Sequence, residues 1–184
     1  MKIRKIEKLS IEDWRQLGDF GYISTQQYEL TKEETQSFFS MHLSLTELDA
    51  PYVKAEMNSE DDLERYKEII KLGYSYGIYI EGKIIAAAII EPQNWNNTLM
   101  IWHFQVNDKH TRKGYGRLLI NKVNDIAKKK GFRAITIETQ NTNVPAIHFY
   151  MSCGYQIEGI DVSLYSNNHE KTEEIAFYMR KKIE

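Results

Sequence analysis

Hydrophobic residues recur along this chain with two periods, and the switches between them mark its elements. Phe39, Met41, Leu43 and Leu45 fall at every second position, with His42, Ser44 and Thr46 between them. That spacing predicts a strand with one buried face. Ile3 to Leu9 alternates well enough for an earlier strand, and Ser10-Ile11-Glu12-Asp13 reads as a helix cap with acid in the first turn. Leu63, Tyr66, Ile69 and Ile70 keep helical spacing behind the cap Ser59-Glu60-Asp61-Asp62, and Gly73 closes that helix. Glu81-Gly82 between Tyr76–Ile80 and Ile84–Ile90 is a hairpin signal.

After Pro92 and the Asn-rich turn at Asn94, Asn96 and Asn97, the apolar run Leu99 to Val106 predicts a strand. An amphipathic helix from Leu118 to Lys130 ends at Gly131. Ala134 to Glu138 is a further strand, Pro145 to Ser152 a short helix stopped by Gly154, and Gln156–Tyr165 and Ile175–Lys181 finish the chain as β structure. The fold class is therefore mixed α/β (α+β), with a mostly antiparallel sheet. The strands that follow the two later helices are expected as its parallel members.

Composition narrows the class without naming a function. A chain of 184 residues, 42% hydrophobic and 27% charged, is long enough for one domain with a real core. No apolar run approaches the roughly 20 residues of a membrane span, and the N-terminus has no secretory pattern. One cysteine, Cys153, leaves no internal disulfide, so the cytoplasm is the expected location. A net charge of −2 gives no nucleic-acid footprint. No His, Cys and carboxylate set has metal spacing, so no metal is expected. Glu56, Glu60, Asp61, Asp62 and Glu64 form an acidic helix start that also suits attraction of a cationic amine.

The chemistry concentrates in Arg112-Lys113-Gly114-Tyr115-Gly116-Arg117, set between the Leu99–Val106 strand and the following helix. Strand, basic glycine loop and helix N-terminus together aim backbone N–H groups at one spot, which suits a phosphate or pyrophosphate. Gly114 and Gly116 are expected to permit positive φ and close approach of an anion. A Walker loop is excluded because Arg117-Leu118 follows Gly116, and a dinucleotide fingerprint because Leu119 replaces its third glycine.

The loop resembles the pyrophosphate loop of the GNAT family of N-acetyltransferases, with Thr111 in the family's first slot and Arg112 one place late. Glu138 to Tyr155, containing Asn143, Ala146, Phe149-Tyr150 and Gly154-Tyr155, resembles that family's second cofactor segment. Ala50-Pro51-Tyr52-Val53-Lys54, Asn94-Trp95-Asn96, Glu138-Thr139-Gln140 and Ser163-Leu164-Tyr165 are similar to streptothricin acetyltransferases within it.

The resemblance implies one N-acetyltransferase domain over residues 1–184. Its cofactor-binding core spans about 76–155, acceptor-side elements 1–75 and C-terminal strands 156–184. Acetyl-CoA is the implied co-substrate and a small cationic primary amine, streptothricin first, the implied acceptor. A ribosomal-protein type of peptide acetyltransferase and a non-catalytic coenzyme A-binding module are the alternatives, and a homodimer through the C-terminal strands is compatible with the family.

Acetyl transfer needs a neutral amine, a stabilised carbonyl oxygen and a proton for the leaving thiolate. The resemblance places main-chain donors at Phe104, Gln105 and Val106, where a break in strand pairing would free N–H groups. It assigns cofactor contacts to Arg112, Lys113, Gly114, Tyr115, Gly116, Arg117, Asn143 and Ala146, and proton donation to Tyr150. A phenol of pKa about 10 is protonated at neutral pH and can serve a thiolate of pKa about 8.5. Packing of the short helix is the other role open to Tyr150, and helix capping the other role open to Asn143. His103 is a candidate base, with a packed sheet histidine as its alternative; Glu138 and relay through water are competitors.

Overall fold

The computed structural model describes residues 1–56, 59–167 and 174–184. In chain order the elements are β1 (Lys2–Lys5), α1 (Ile11–Leu17), β2 (Phe20–Glu34), β3 (Phe39–Glu56), α2 (Glu60–Lys71), β4 (Tyr76–Ile80), β5 (Lys83–Gln93), β6 (Thr98–Val106), α3 (Tyr115–Lys130), β7 (Ala134–Gln140), α4 (Val144–Ser152), β8 (Gln156–Asp161) and β9 (Ala176–Lys182). They fall into two compact units, residues 1–20, 55–138 and 180–184 in the first and 21–54 and 139–179 in the second.

Local chemistry sets the first unit's helix ends. Ser10 Oγ accepts the Asp13 amide at 3.0 Å while the Asp13 carboxylate accepts the Ser10 amide at 3.3 Å, so the expected capping box starts α1. Ser59 accepts the Asp62 amide at 3.0 Å and starts α2. Ile6, Leu9, Trp14 and Leu17 join Leu63, Tyr66, Ile69 and Ile70 of α2 over Tyr79, Ile84, Ala87 and Ile89 of the sheet. Each fully buried large apolar side chain here contributes about 1.5–3 kcal/mol.

This unit's strands run in the order β1-β4-β5-β6-β7. Neighbours are antiparallel until β6 and β7, which are parallel from Thr98 opposite Ala134 to Ile101 opposite Ile137. Glu81 and Gly82 both have left-handed φ, the backbone that a two-residue hairpin between twisted strands demands. α3 buries Leu119, Ile120, Val123 and Ala127 and packs along β4, β5 and β6.

Several boundaries differ from expectation. β1 stops at Lys5, because Ile6 and Leu9 turn into the core. β5 continues through Pro92, which is tolerated because the β4 ladder ends at Ala88 and leaves that edge without a pairing strand. The side chain of Glu56 lies outside the described residues, so its place in the acidic group is not defined.

In the second unit β2 and β3 form a two-stranded ribbon, and β8 lies beside β9. β2 was not legible in the sequence: Phe20–Glu34 mixes polar and aromatic residues without a clean period. The strand expected at Phe39–Leu45 forms and runs on to Glu56, but its buried face does not. Phe39 and Leu45 are exposed, and Met41 and Leu43 are half-buried. Alternation fixes which side chains share a face and says nothing of whether another element covers it.

Candidate active site

β6 supplies the first part of the site. Its ladder with β7 ends at Ile101, so residues 102–106 continue along β5 alone. Asn107 N–H donates to Ile85 O at 2.9 Å. Main-chain groups alternate sides along a strand, so Gln105 N–H also faces β5, while Phe104 and Val106 turn theirs to the edge that β7 has left. The register break against β5 falls at Trp102, not at Gln105–Val106 as expected: Ile101 and His103 oppose consecutive residues, Ile90 and Ile89, while Gln105 and Val106 stay in register with Ala87 and Ala86. Glu138 follows Ile137 on β7, half-buried, at the same divergence.

His103 is buried among the rings of Trp14, Phe20 and Tyr66, with centroids 4.9, 5.1 and 5.4 Å away. Its Nε2 lies 3.0 Å from Gln105 Oε1. Gln105 Nε2 sits 3.0–3.2 Å from the carbonyl oxygens of Leu17, Gly18 and Asp19, so Oε1 is its accepting end and His103 Nε2 carries the proton. Burial drives the imidazole pKa down to about 4, against the opposing pull of Gln105 and Asp62. The ring is neutral at pH 7 and fastened into the core. Asn107 extends the same fastening, donating Nδ2 to Gln16 O at 2.8 Å.

The loop comes next. Arg112, Lys113 and Gly114 are exposed, and Lys113 Nζ donates to Lys109 O at 2.7 Å. Gly114 has φ +83° and is the N-cap of α3, with no side chain to close over the first-turn N–H groups. The second left-handed residue is Arg112, φ +58°, whereas Gly116 lies inside the helix and is not a positive-φ position. A Cβ on Gly114 would meet nothing within 4 Å, so backbone conformation alone demands glycine there. Tyr115 and Gly116 are half-buried in the first turn and Arg117 is exposed. No acid stands in that turn, and no side chain caps it; helix N-termini of this kind suit an anion.

Helix α4 lies in the second unit. Asn143 is its N-cap, Oδ1 accepting the Ala146 amide at 3.2 Å, so capping, one of the two roles open to Asn143, is in place. Asn143 is buried and Ala146 half-buried. Tyr150 is buried and rests 5.8 Å, centroid to centroid, from Tyr155. Burial pushes its phenol well above the ordinary range, so it stays protonated throughout the working pH range. Cys153 is buried at the end of the same helix.

Glu174, which the sequence did not single out, gathers a polar cluster in the second unit. Its Oε1 accepts from Tyr52 OH at 2.9 Å, Tyr22 OH at 3.0 Å and Lys54 Nζ at 3.1 Å, and Oε2 accepts from Lys54 at 2.8 Å. The only signal was the presence of Tyr22, Tyr52 and Lys54 upstream, 152, 122 and 120 residues away. Among the described residues no group of three or more His, Cys, Asp or Glu is arranged for a metal, and no helix is long and apolar enough to cross a membrane.

Comparison with known proteins adds family context to this geometry. The model of the Acetyltransferase (GNAT) family matches residues 29–155. The chain is similar to streptothricin acetyltransferase A of Bacillus subtilis, 31% identical over 71% of this chain and 74% of that one. It is also 29% identical to a streptothricin acetyltransferase of Escherichia coli over 76% of this chain and 79% of that one. Among solved structures, a Bacillus anthracis protein described as a streptothricin acetyltransferase, in complex with acetyl coenzyme A, is similar with TM-score 0.74 and 25% identity over 98% of both chains. A nourseothricin acetyltransferase shares the fold with TM-score 0.73 and 22% identity, covering 100% of this chain and 98% of that one.

Proposed function

We propose, from the premise that the chain belongs to the Acetyltransferase (GNAT) family and is an acetyl-CoA-dependent N-acetyltransferase, that its acceptor is a primary amine of a small polycationic molecule, streptothricin first. The streptothricin-acetylating relatives support that acceptor. The observation that carries the cofactor assignment is the edge of β6 left by β7, followed after the 107–114 loop by the N-terminus of α3, which no side chain caps.

In this reading the first-turn N–H groups of Tyr115 and Gly116, with the charges of Arg112, Lys113 and Arg117, hold the pyrophosphate. Gly114 supplies the left-handed turn that exposes them. The N–H groups of Phe104 and Val106 meet the pantetheine arm and the thioester oxygen, and Gln105 holds their strand through its side chain. Asn143 shapes the start of α4, and the small side chain of Ala146 leaves room beside it. Acetyl-CoA supplies the activated acetyl group.

Tyr150 donates a hydrogen bond, then a proton, to the leaving thiolate. The amine proton passes to Glu138, directly or through water, because a half-buried carboxylate at the divergence of β6 and β7 suits a base better than a neutral ring sealed in the core. His103 becomes a positioning residue that orients Gln105.

A panel of amines incubated with acetyl-CoA and read by mass spectrometry tests the proposal. The expected result is one added acetyl group on streptothricin, with matching release of thiol. Acetylation of another amine while streptothricin stays unmodified would move the acceptor elsewhere.

A further inference from the structure

The second unit contains an ammonium of the chain itself seated against a largely buried carboxylate and an aromatic ring. Lys54 Nζ lies 2.8 and 3.1 Å from the two Glu174 oxygens, with side-chain exposures of only 17% and 16% for the pair. Its charge stands 5.8 Å from the centre of the Tyr165 ring, within cation–π range. Tyr22 and Tyr52 stack with centroids 6.0 Å apart and planes 26° from parallel, and both hydroxyls reach the same Glu174 oxygen. Tyr22 OH and Thr142 Oγ1 are 2.6 Å apart, which places the cluster one residue along the chain from Asn143 and the helix carrying Tyr150.

We propose that Glu174, framed by Tyr22, Tyr52 and Tyr165, is the recognition site for a second cationic group of the acceptor, and that Lys54 fills it in the substrate-free chain. This rests on the acetyltransferase assignment above and deepens it. A carboxylate and aromatic faces are the chemistry that selects ammonium groups. Lysine is a suited place-holder because its compact charge on a flexible stem leaves without dismantling a planar fork. Replacing one ammonium with another conserves the charge balance, so neither ion is left buried and unpaired.

The proposal also fixes a substrate class. A carboxylate holds the amine it binds in the charged form, and a charged amine cannot attack a thioester. Glu174 therefore anchors one cationic group while a different amine of the same molecule reacts. The enzyme is expected to prefer acceptors with at least two cationic groups over mono-amines of similar size.

Steady-state kinetics with streptothricin, together with calorimetric titration of 1,4-diaminobutane and butylamine into the coenzyme A-loaded chain, test this. Glu174→Gln should raise the acceptor KM by about tenfold or more, with kcat much less changed. Lys54→Met, which vacates the carboxylate, should lower KM and tighten diaminobutane more than butylamine. Coenzyme A binding and cooperative thermal unfolding serve as fold controls in both variants. If Lys54→Met weakens the acceptor as Glu174→Gln does, or neither variant alters KM or diamine binding, the pair is a structural tie and the proposal is overturned. If wild type does not acetylate streptothricin, the acceptor assignment fails separately, and the diamine titration still decides the site.

Discussion

His103 shows how far one residue's surroundings redirect its chemistry. Its sequence context suggests an imidazole that titrates near neutrality, but three aromatic rings and burial hold it neutral down to a pKa of about 4. An unfolded histidine titrates near 6.5, so between those values the unfolded chain binds more protons than the folded one. Stability is fully present above pH 6.5 and falls as pH drops toward 4, by about 3 kcal/mol from this group. Urea unfolding against pH should show that slope in the wild type and a shallower one in His103→Asn. The acid limb of kcat/KM should keep its midpoint in the same variant; its disappearance would restore His103 as the base. Tyr150 makes the complementary case. Tyr150→Phe should lower kcat by about a hundredfold or more while acetyl-CoA affinity holds, because only the proton donor is lost. Unchanged kcat would leave Tyr150 a packing residue of α4.

At the scale of elements, the strand–loop–helix of β6 and α3 does the positioning. Two left-handed residues, Arg112 and Gly114, turn the chain sharply enough that α3 begins with its N–H groups exposed beside three basic side chains. Since a Cβ at Gly114 meets no neighbour, Gly114→Ala tests backbone conformation rather than space. It should destabilise the loop by about 1–2 kcal/mol and weaken acetyl-CoA by roughly tenfold, measured by calorimetry on folded protein. Normal affinity would detach the loop from the cofactor. The chemistry of this element was readable because loop glycines and basic residues are local signals. Gly116 does not use its freedom, since a glycine states a permission and only the surrounding helix shows whether it is used. Likewise the register break at Trp102 depends on which β5 residues come opposite, which β6 does not encode alone.

At the scale of the molecule, binding acetyl-CoA to the folded chain alone should raise its stability. At a free concentration of 100 times Kd the gain is about 2.7 kcal/mol, visible as a higher Tm that grows with ligand concentration. A Tm that does not move with acetyl-CoA would contradict the cofactor assignment.

The sequence by itself determined the order of most elements, the helix caps at Ser10 and Ser59, the Glu81-Gly82 hairpin and the family likeness carried by residues 112–117 and 138–155. Each of those depends on neighbours within a few positions, where hydrogen bonds and backbone preferences act directly. Only the tertiary structure decided that His103 is sealed in a core, that the Phe39–Leu45 face stays open, that the register break falls at Trp102, and that Glu174 meets Tyr22, Tyr52 and Lys54. Those facts turn on burial and pairing between residues far apart in the chain, whose energies no local pattern contains.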